Sequence, residues 1–98
     1  MLYDVVYDAE QAMTQYLEDN STWVSAEAVG LDRRAGLLYV TEDAIVARGR
    51  TNSLDYYGGF EYVDTEYKTQ VGEYTVYFAD DERVAGCLEL YREVAEAA

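Results

Sequence analysis

The chain has 98 residues, half of them apolar and 14% aromatic, and a formal charge of −13 from 20 carboxylates against 7 basic side chains. That length makes one domain, spanning 1–98, with no room for two cores, and the aromatic content separates it from acidic disordered chains. A net charge this far from zero opposes folding through self-repulsion and repels nucleic acid and anionic membranes, which sets both aside as direct partners.

The charge is segregated. Residues 1–27 carry six acids and no base; residues 28–50 carry three acids beside Arg33, Arg34, Arg48 and Arg50; residues 51–98 carry eleven acids against Lys68, Arg83 and Arg92. Cys87 is the single cysteine, so an internal disulfide is excluded and a secreted, stapled module is not expected. The opening MLYDVVYDAEQ lacks the basic start of a signal peptide, and no stretch approaches the ~18 uncharged apolar residues of a membrane span. A soluble protein of the cytoplasm is the expectation.

Leu2, Val5, Val6, Ala9, Met13, Tyr16 and Leu17 recur at helical spacing and predict an amphipathic N-terminal helix ending at Asn20-Ser21. Thr22 and the Trp23-Val24 pair fit a packed corner. Ser25 and Gly30 bracket Ala26–Val29 as cap and terminator of a short helical turn. Four strands are expected next: Leu37–Thr41 and Ala44–Arg48 around a Glu42-Asp43 turn, then Leu54–Val63 interrupted by Gly58-Gly59, then Glu73–Ala79. Residues 64–72 read as a connector in which Gly72 supplies a positive-φ turn.

Asp80-Asp81 predicts the cap of a closing helix with its apolar stripe at Val84, Cys87, Leu88, Tyr91, Val94 and Ala95. Gly86 within it costs about 1 kcal/mol relative to Ala, which calls for close packing or a frayed helix. The expected architecture is α+β: helix, short helix, an antiparallel meander of about four strands, helix, with the helices packed on one sheet face.

The chemistry of catalysis is sparse. No histidine occurs, which removes the commonest general base, the commonest metal ligand and every Ser-His or Cys-His pair. One thiol cannot supply a zinc site; no phosphate-cradling glycine motif is present; and no carboxylate pair stands apart as a hydrolytic dyad. The reading is a non-enzymatic protein without metal or cofactor. Cys87, on the apolar stripe with no adjacent Lys or Arg, reads as a core thiol.

Residues 55–82 combine eight acids with Lys68 as the only base, and hold six of the eleven tyrosines. On the expected strands, Asp55, Tyr57, Glu61, Glu73 and Tyr77 share a solvent face. Same-face strand neighbours lie about 6.6 Å apart, and a twisted row of carboxylates approximates the phosphate pattern of a duplex. With Asp64, Glu66, Asp80, Asp81 and Glu82 these residues form the expected partner-binding set, tyrosine adding contact area at low entropy cost. Capping already accounts for Asp80, Asp81 and Glu82, and acids on a sheet face also guard edges.

A compact acidic α+β chain of this size without catalytic residues resembles small phage anti-defence proteins of the anti-CRISPR and anti-restriction type, some of which mimic DNA. The resemblance lies in size and composition, and the stretch Leu54–Asp64 (LDYYGGFEYVD) has the look of a family block. It implies a binding inhibitor whose acidic surface occupies the basic nucleic-acid site of a host effector. Two alternatives accompany it. Six arginines to one lysine with a pI near 4.1 suit a salt-adapted soluble domain, and an antitoxin or adaptor binding another basic protein has the same composition. Monomer and homodimer both fit, the arginines of residues 28–50 serving either a second copy or the turn acids Asp32, Glu42 and Asp43.

Overall fold

The computed structural model describes residues 10–48, 54–55 and 59–97. Two stretches in it, Ala44–Arg48 and Tyr74–Phe78, are apolar at nearly every position, and they pair antiparallel as the middle of a five-stranded sheet. The strands are β1 (Thr22–Ser25), β2 (Leu37–Val40), β3 (Ala44–Arg48), β4 (Lys68–Val71) and β5 (Tyr74–Phe78), in the order β1-β2-β3-β5-β4 with every neighbour antiparallel. Among the described residues, the helices α1 (Glu10–Asn20) and α2 (Glu82–Ala97) flank the sheet in an α+β fold.

Both sheet faces are covered. Val24, Leu38, Val40, Ile45, Ala47 and Tyr77 pack against Val84, Leu88, Tyr91 and Ala95 of α2, with Leu54, Phe60 and Val63 closing that layer. Ala44, Val46, Tyr74, Val76 and Phe78 face the other way and pack with Val71 against Met13 and Leu17 of α1. The helices therefore lie on opposite faces, not on one as the sequence reading had it. The reason is the two-sided apolarity of β3 and β5: alternate residues point to opposite faces, so a single helical layer would leave half of these side chains in water.

Three further expectations are corrected. Among the described residues of Leu54–Val63 no strand forms: Gly59 turns left-handed (φ 76°) and Phe60–Tyr62 is a 3-10 turn that drops Phe60 edge-on against Tyr77, ring centroids 5.0 Å apart. The supposed corner at Trp23 is β1, and the supposed connector contains β4, so the count is five. The sheet is also not a meander, because the chain after β3 crosses to the far edge, forms β4, and returns as β5 beside β3. The region of Tyr56, Tyr57 and Gly58, like that of Leu2 to Ala9, lies outside the described residues.

Other local expectations hold. The β2–β3 hairpin turns at Glu42-Asp43, closed by Thr41 N–H donating to Ala44 O at 3.0 Å. Ala26–Val29 is a 3-10 turn ended by Gly30 in the left-handed region, although the Ser25 hydroxyl makes no capping bond. Gly36 (φ 84°) is required for a second reason, since a Cβ there would meet Arg48 O at 3.0 Å. Asp81 caps α2, its carboxylate accepting the Arg83 N–H at 2.8 Å.

The stripe of α2 is buried as read, with Cys87 and Val94 half-buried at its margin. Gly86 sits on the solvent side with nothing within 4 Å of where a Cβ would be. Neither close packing nor an interruption accounts for it, as α2 runs unbroken from Glu82 to Ala97. Gly86→Ala should therefore stabilise the protein by about 1 kcal/mol, seen as a higher urea midpoint at unchanged slope; a loss of stability would show that the position is constrained.

Candidate interaction surface

The two-sided burial leaves the acidic residues to the turns, the edges and the outer helix surface. Two turns come together at the Phe78 end of β5. In one, Asp64 caps the 3-10 turn Thr65–Tyr67, its carboxylate accepting the Glu66 N–H at 2.9 Å. In the other, the chain leaves β5 through Ala79 and Asp80, with Ala79 N–H donating to Asp43 O at 2.9 Å, and enters α2 at Glu82. Asp64, Tyr67, Asp80, Asp81, Glu82 and Arg83 line an open depression of about 420 Å³ between them.

The electrostatics of this depression are carried by its acids. The Tyr67 phenol is held above its ordinary pKa, first by the charge of Glu66 and a hydrogen bond to it, then by burial and by the charges of Asp80 and Asp64. Arg83 lines the depression but is engaged at its side: its Nη1 donates to Tyr62 O at 2.8 Å and its guanidinium stacks over the Tyr62 ring, 5.3 Å from the centroid. Tyr62 itself is 70% exposed, the most exposed of the large apolar side chains described. An anionic hollow bordered by an exposed aromatic ring results.

Four of the ten residues expected to bind a partner thus line this depression, Asp64, Asp80, Asp81 and Glu82, and Glu66 stands next to it, where its charge and hydrogen bond act on Tyr67. Glu61 is exposed on the Phe60–Tyr62 turn beside them. Glu73 is not with them. It lies at the Tyr74 end of β5, about 15 Å away along the strand at ~3.3 Å per residue, and pairs with Arg48 Nε at 2.8 Å. Tyr57 lies outside the described residues.

Asp55 and Tyr77 belong to the interior, which corrects their placement on a solvent face. Tyr77 is fully buried and donates its hydroxyl to Asp55 Oδ1 at 2.5 Å, while Lys68 Nζ meets Asp55 Oδ2 at 3.1 Å. The Lys68 and Asp55 side chains are only 19% and 13% exposed, so the carboxylate depends on both partners for the solvation that burial removes. The expected row of carboxylates at strand spacing does not exist, because Glu61 sits on a turn and β5 has no solvent face.

Tyr62, Tyr67 and Arg83 were not singled out in the sequence. The density of tyrosines pointed at this region, but which of them face solvent depends on turns that carry no periodic pattern. Among the described residues, no group of three or more acids, cysteines or histidines is arranged to hold a metal ion, and no helix is long and apolar enough to cross a membrane.

Burial, then the hydrogen bond to Asp55 and its charge, raise the Tyr77 pKa well above its ordinary 10; burial and the neighbouring Cys87 thiol push Tyr91 up to about 12. Both phenols hold their protons more tightly when folded, so the stability they contribute is complete below pH 10 and is lost as pH rises above it. Urea midpoints should fall from pH 10 upward, and less steeply in Tyr77→Phe. At pH 7 that variant should lose about 2 kcal/mol, the worth of a hydrogen bond to a charged acceptor; an unchanged midpoint would mean that Asp55 is satisfied without it. No family model, curated protein or solved structure matches this chain.

Proposed function

We propose that the protein is a non-enzymatic binding protein whose acidic depression docks a basic protein surface of the kind that contacts nucleic-acid phosphates. The observation that supports this best is the convergence of Asp64, Asp80, Asp81 and Glu82, from two turns distant in sequence, around one hollow, with Glu66 against its Tyr67 wall and the exposed ring of Tyr62 beside it. Like charges so gathered repel one another, and a cationic partner relieves that repulsion. Lysine and arginine side chains on the partner would enter the hollow, and Tyr62 would provide contact area at its rim. Inhibition of a host defence effector in the cytoplasm, by occupying its nucleic-acid channel, is the activity this surface would serve. The means is a concave acidic patch, not a strand-spaced copy of a phosphate backbone.

A second reading rests on a separate observation. Glu18, Asp19, Glu27, Glu42, Glu89, Glu93 and Glu96 are all exposed outside the depression, a dispersion that suits a chain kept soluble in concentrated salt. Circular dichroism in dilute buffer and in molar KCl separates the two. A fold that persists without salt leaves the acids to partner binding; a fold lost without salt favours adaptation.

For the proposed function, the test is capture from host lysate followed by affinity measurement on the captured partner. Asp64→Asn, which keeps an oxygen to cap the Thr65–Tyr67 turn, with Glu66→Gln, Asp80→Asn and Glu82→Gln, sparing the α2 cap Asp81, should abolish capture of a basic nucleic-acid-binding protein. With the wild-type chain, affinity should drop at least about tenfold between 50 and 300 mM salt, as exposed charges are screened within ~10 Å, and duplex DNA should compete. An affinity indifferent to ionic strength would end the proposal.

A further inference from the structure

The two edges of the sheet are built differently. At one edge, β4 carries Lys68, whose ammonium folds onto Asp55, and Gln70, whose amide closes on Gly72 O at 2.8 Å and accepts the Thr75 hydroxyl at 2.8 Å. An edge occupied by lysine and polar side chains is poorly suited to pairing with another chain. At the other edge, β1 reads Thr22-Trp23-Val24-Ser25, with no charge and no proline.

The hydrogen-bond parity of β1 follows from its register with β2. Ala26 donates its N–H to Gly36 O at 3.0 Å, one step beyond the Ser25–Leu37 pair. Bonding alternates along an antiparallel strand, so Thr22 and Val24 turn their backbone groups toward β2 while Trp23 and Ser25 turn theirs outward. The Trp23 side chain is 64% exposed. On its inner side it borders a groove of about 300 Å³ whose walls include Tyr39, Tyr74, the carboxylate-bearing Glu18 and Arg48.

We infer that β1 is a docking edge for an extended, basic segment of a partner protein, which adds to the sheet as a sixth strand. Backbone pairing to Trp23 and Ser25 would supply the register, and alternate side chains the selectivity. The charge around the edge selects a basic segment. Glu18 and Asp19 are exposed just before β1, Glu27 just after it, and Asp19 and Glu96 line one cleft with Thr22. Among the described residues two cations line these hollows, and each is already paired within the chain: Arg48, in the groove beside Trp23, with Glu73, and Arg92, in the cleft with Asp19 and Glu96, with Glu89 and the carbonyls of Thr41 and Glu42. A lysine or arginine of the added strand on the α1 side would lie against the Trp23 ring, a favourable cation–π arrangement. A second copy of this chain would bring another −13 to the same edge, which opposes self-pairing.

The inference shares with the proposed function only the partner's positive charge, and it concerns the opposite edge of the sheet, so the two can fail separately. The probe is the hexapeptide acetyl-Arg-Thr-Arg-Thr-Arg-Thr-amide, with its glutamate counterpart and a version N-methylated at alternate residues. Trp23 is the only tryptophan, so its fluorescence reports the edge directly. The arginine peptide should shift that emission saturably and slow amide exchange at Trp23 and Ser25; the glutamate peptide should do neither.

Ser25→Pro removes the outward N–H where φ is already −76°, an angle proline adopts unstrained. It should weaken arginine-peptide binding about tenfold through lost ladder bonds, as should N-methylation of the peptide. The Asp64, Glu66, Asp80 and Glu82 neutralisation should leave this binding intact. Absence of binding, or equal binding by Ser25→Pro and by the N-methylated peptide, overturns the inference. So does binding lost only on neutralising the depression, which would leave the proposed function standing. Sedimentation as a dimer that Ser25→Pro dissociates would assign the edge to a second copy and overturn it too.

Discussion

The structure depends on β3 and β5 being apolar on both faces. Ala44 to Ala47 and Tyr74 to Phe78 are all buried, and no single helix can cover both sides of a sheet. Two helices must take opposite faces, and the sheet becomes a wall between two small cores. Fully burying an aliphatic or aromatic side chain is worth about 1.5–3 kcal/mol, whereas repulsion among exposed, screened charges is weaker per pair. Burial therefore sets the layout, and the carboxylates take the surface that remains.

That surface consists of turns, edges and the outer side of α2. The acids of residues 55–82 reach it in different ways. Asp64 and Asp81 use their carboxylates to close local turns, a structural duty that also holds their charge at a defined place. Asp55 is the exception that burial captured, held between an ammonium and a phenol, where it ties the segment before the Phe60–Tyr62 turn to the underside of β4 and β5. Acidic residues adjacent in sequence thus divide between holding the fold and facing a partner.

How much of this was legible from sequence differs element by element. The stripe from Val84 to Ala95, the Leu37–Arg48 hairpin and the alternation along Tyr74–Phe78 are patterns set by neighbouring residues, and each appears in the structure. Leu54–Val63 misled because Tyr, Phe and Val favour strands, while the left-handed Gly59 and the fit of Phe60 against Tyr77 decided the matter. β1 and β4 escaped notice because each is four residues long and edge strands need little apolar content. Tyr77 reads as solvent-facing because alternation sets it opposite Tyr74, Val76 and Phe78; the second face of β5 is buried as well, and a carboxylate 22 positions earlier satisfies the hydroxyl.

From the sequence alone one could obtain the class of fold, the closing helix, the central hairpin and the excess of negative charge, since these follow from composition and from spacing over a few residues. Which face each helix covers, which four carboxylates line a hollow, and which strands form the edges of the sheet were settled only in three dimensions. All three hang on the pairing of β3 with β5 across the β4 excursion. That contact joins residues about thirty positions apart, and no local periodicity encodes it.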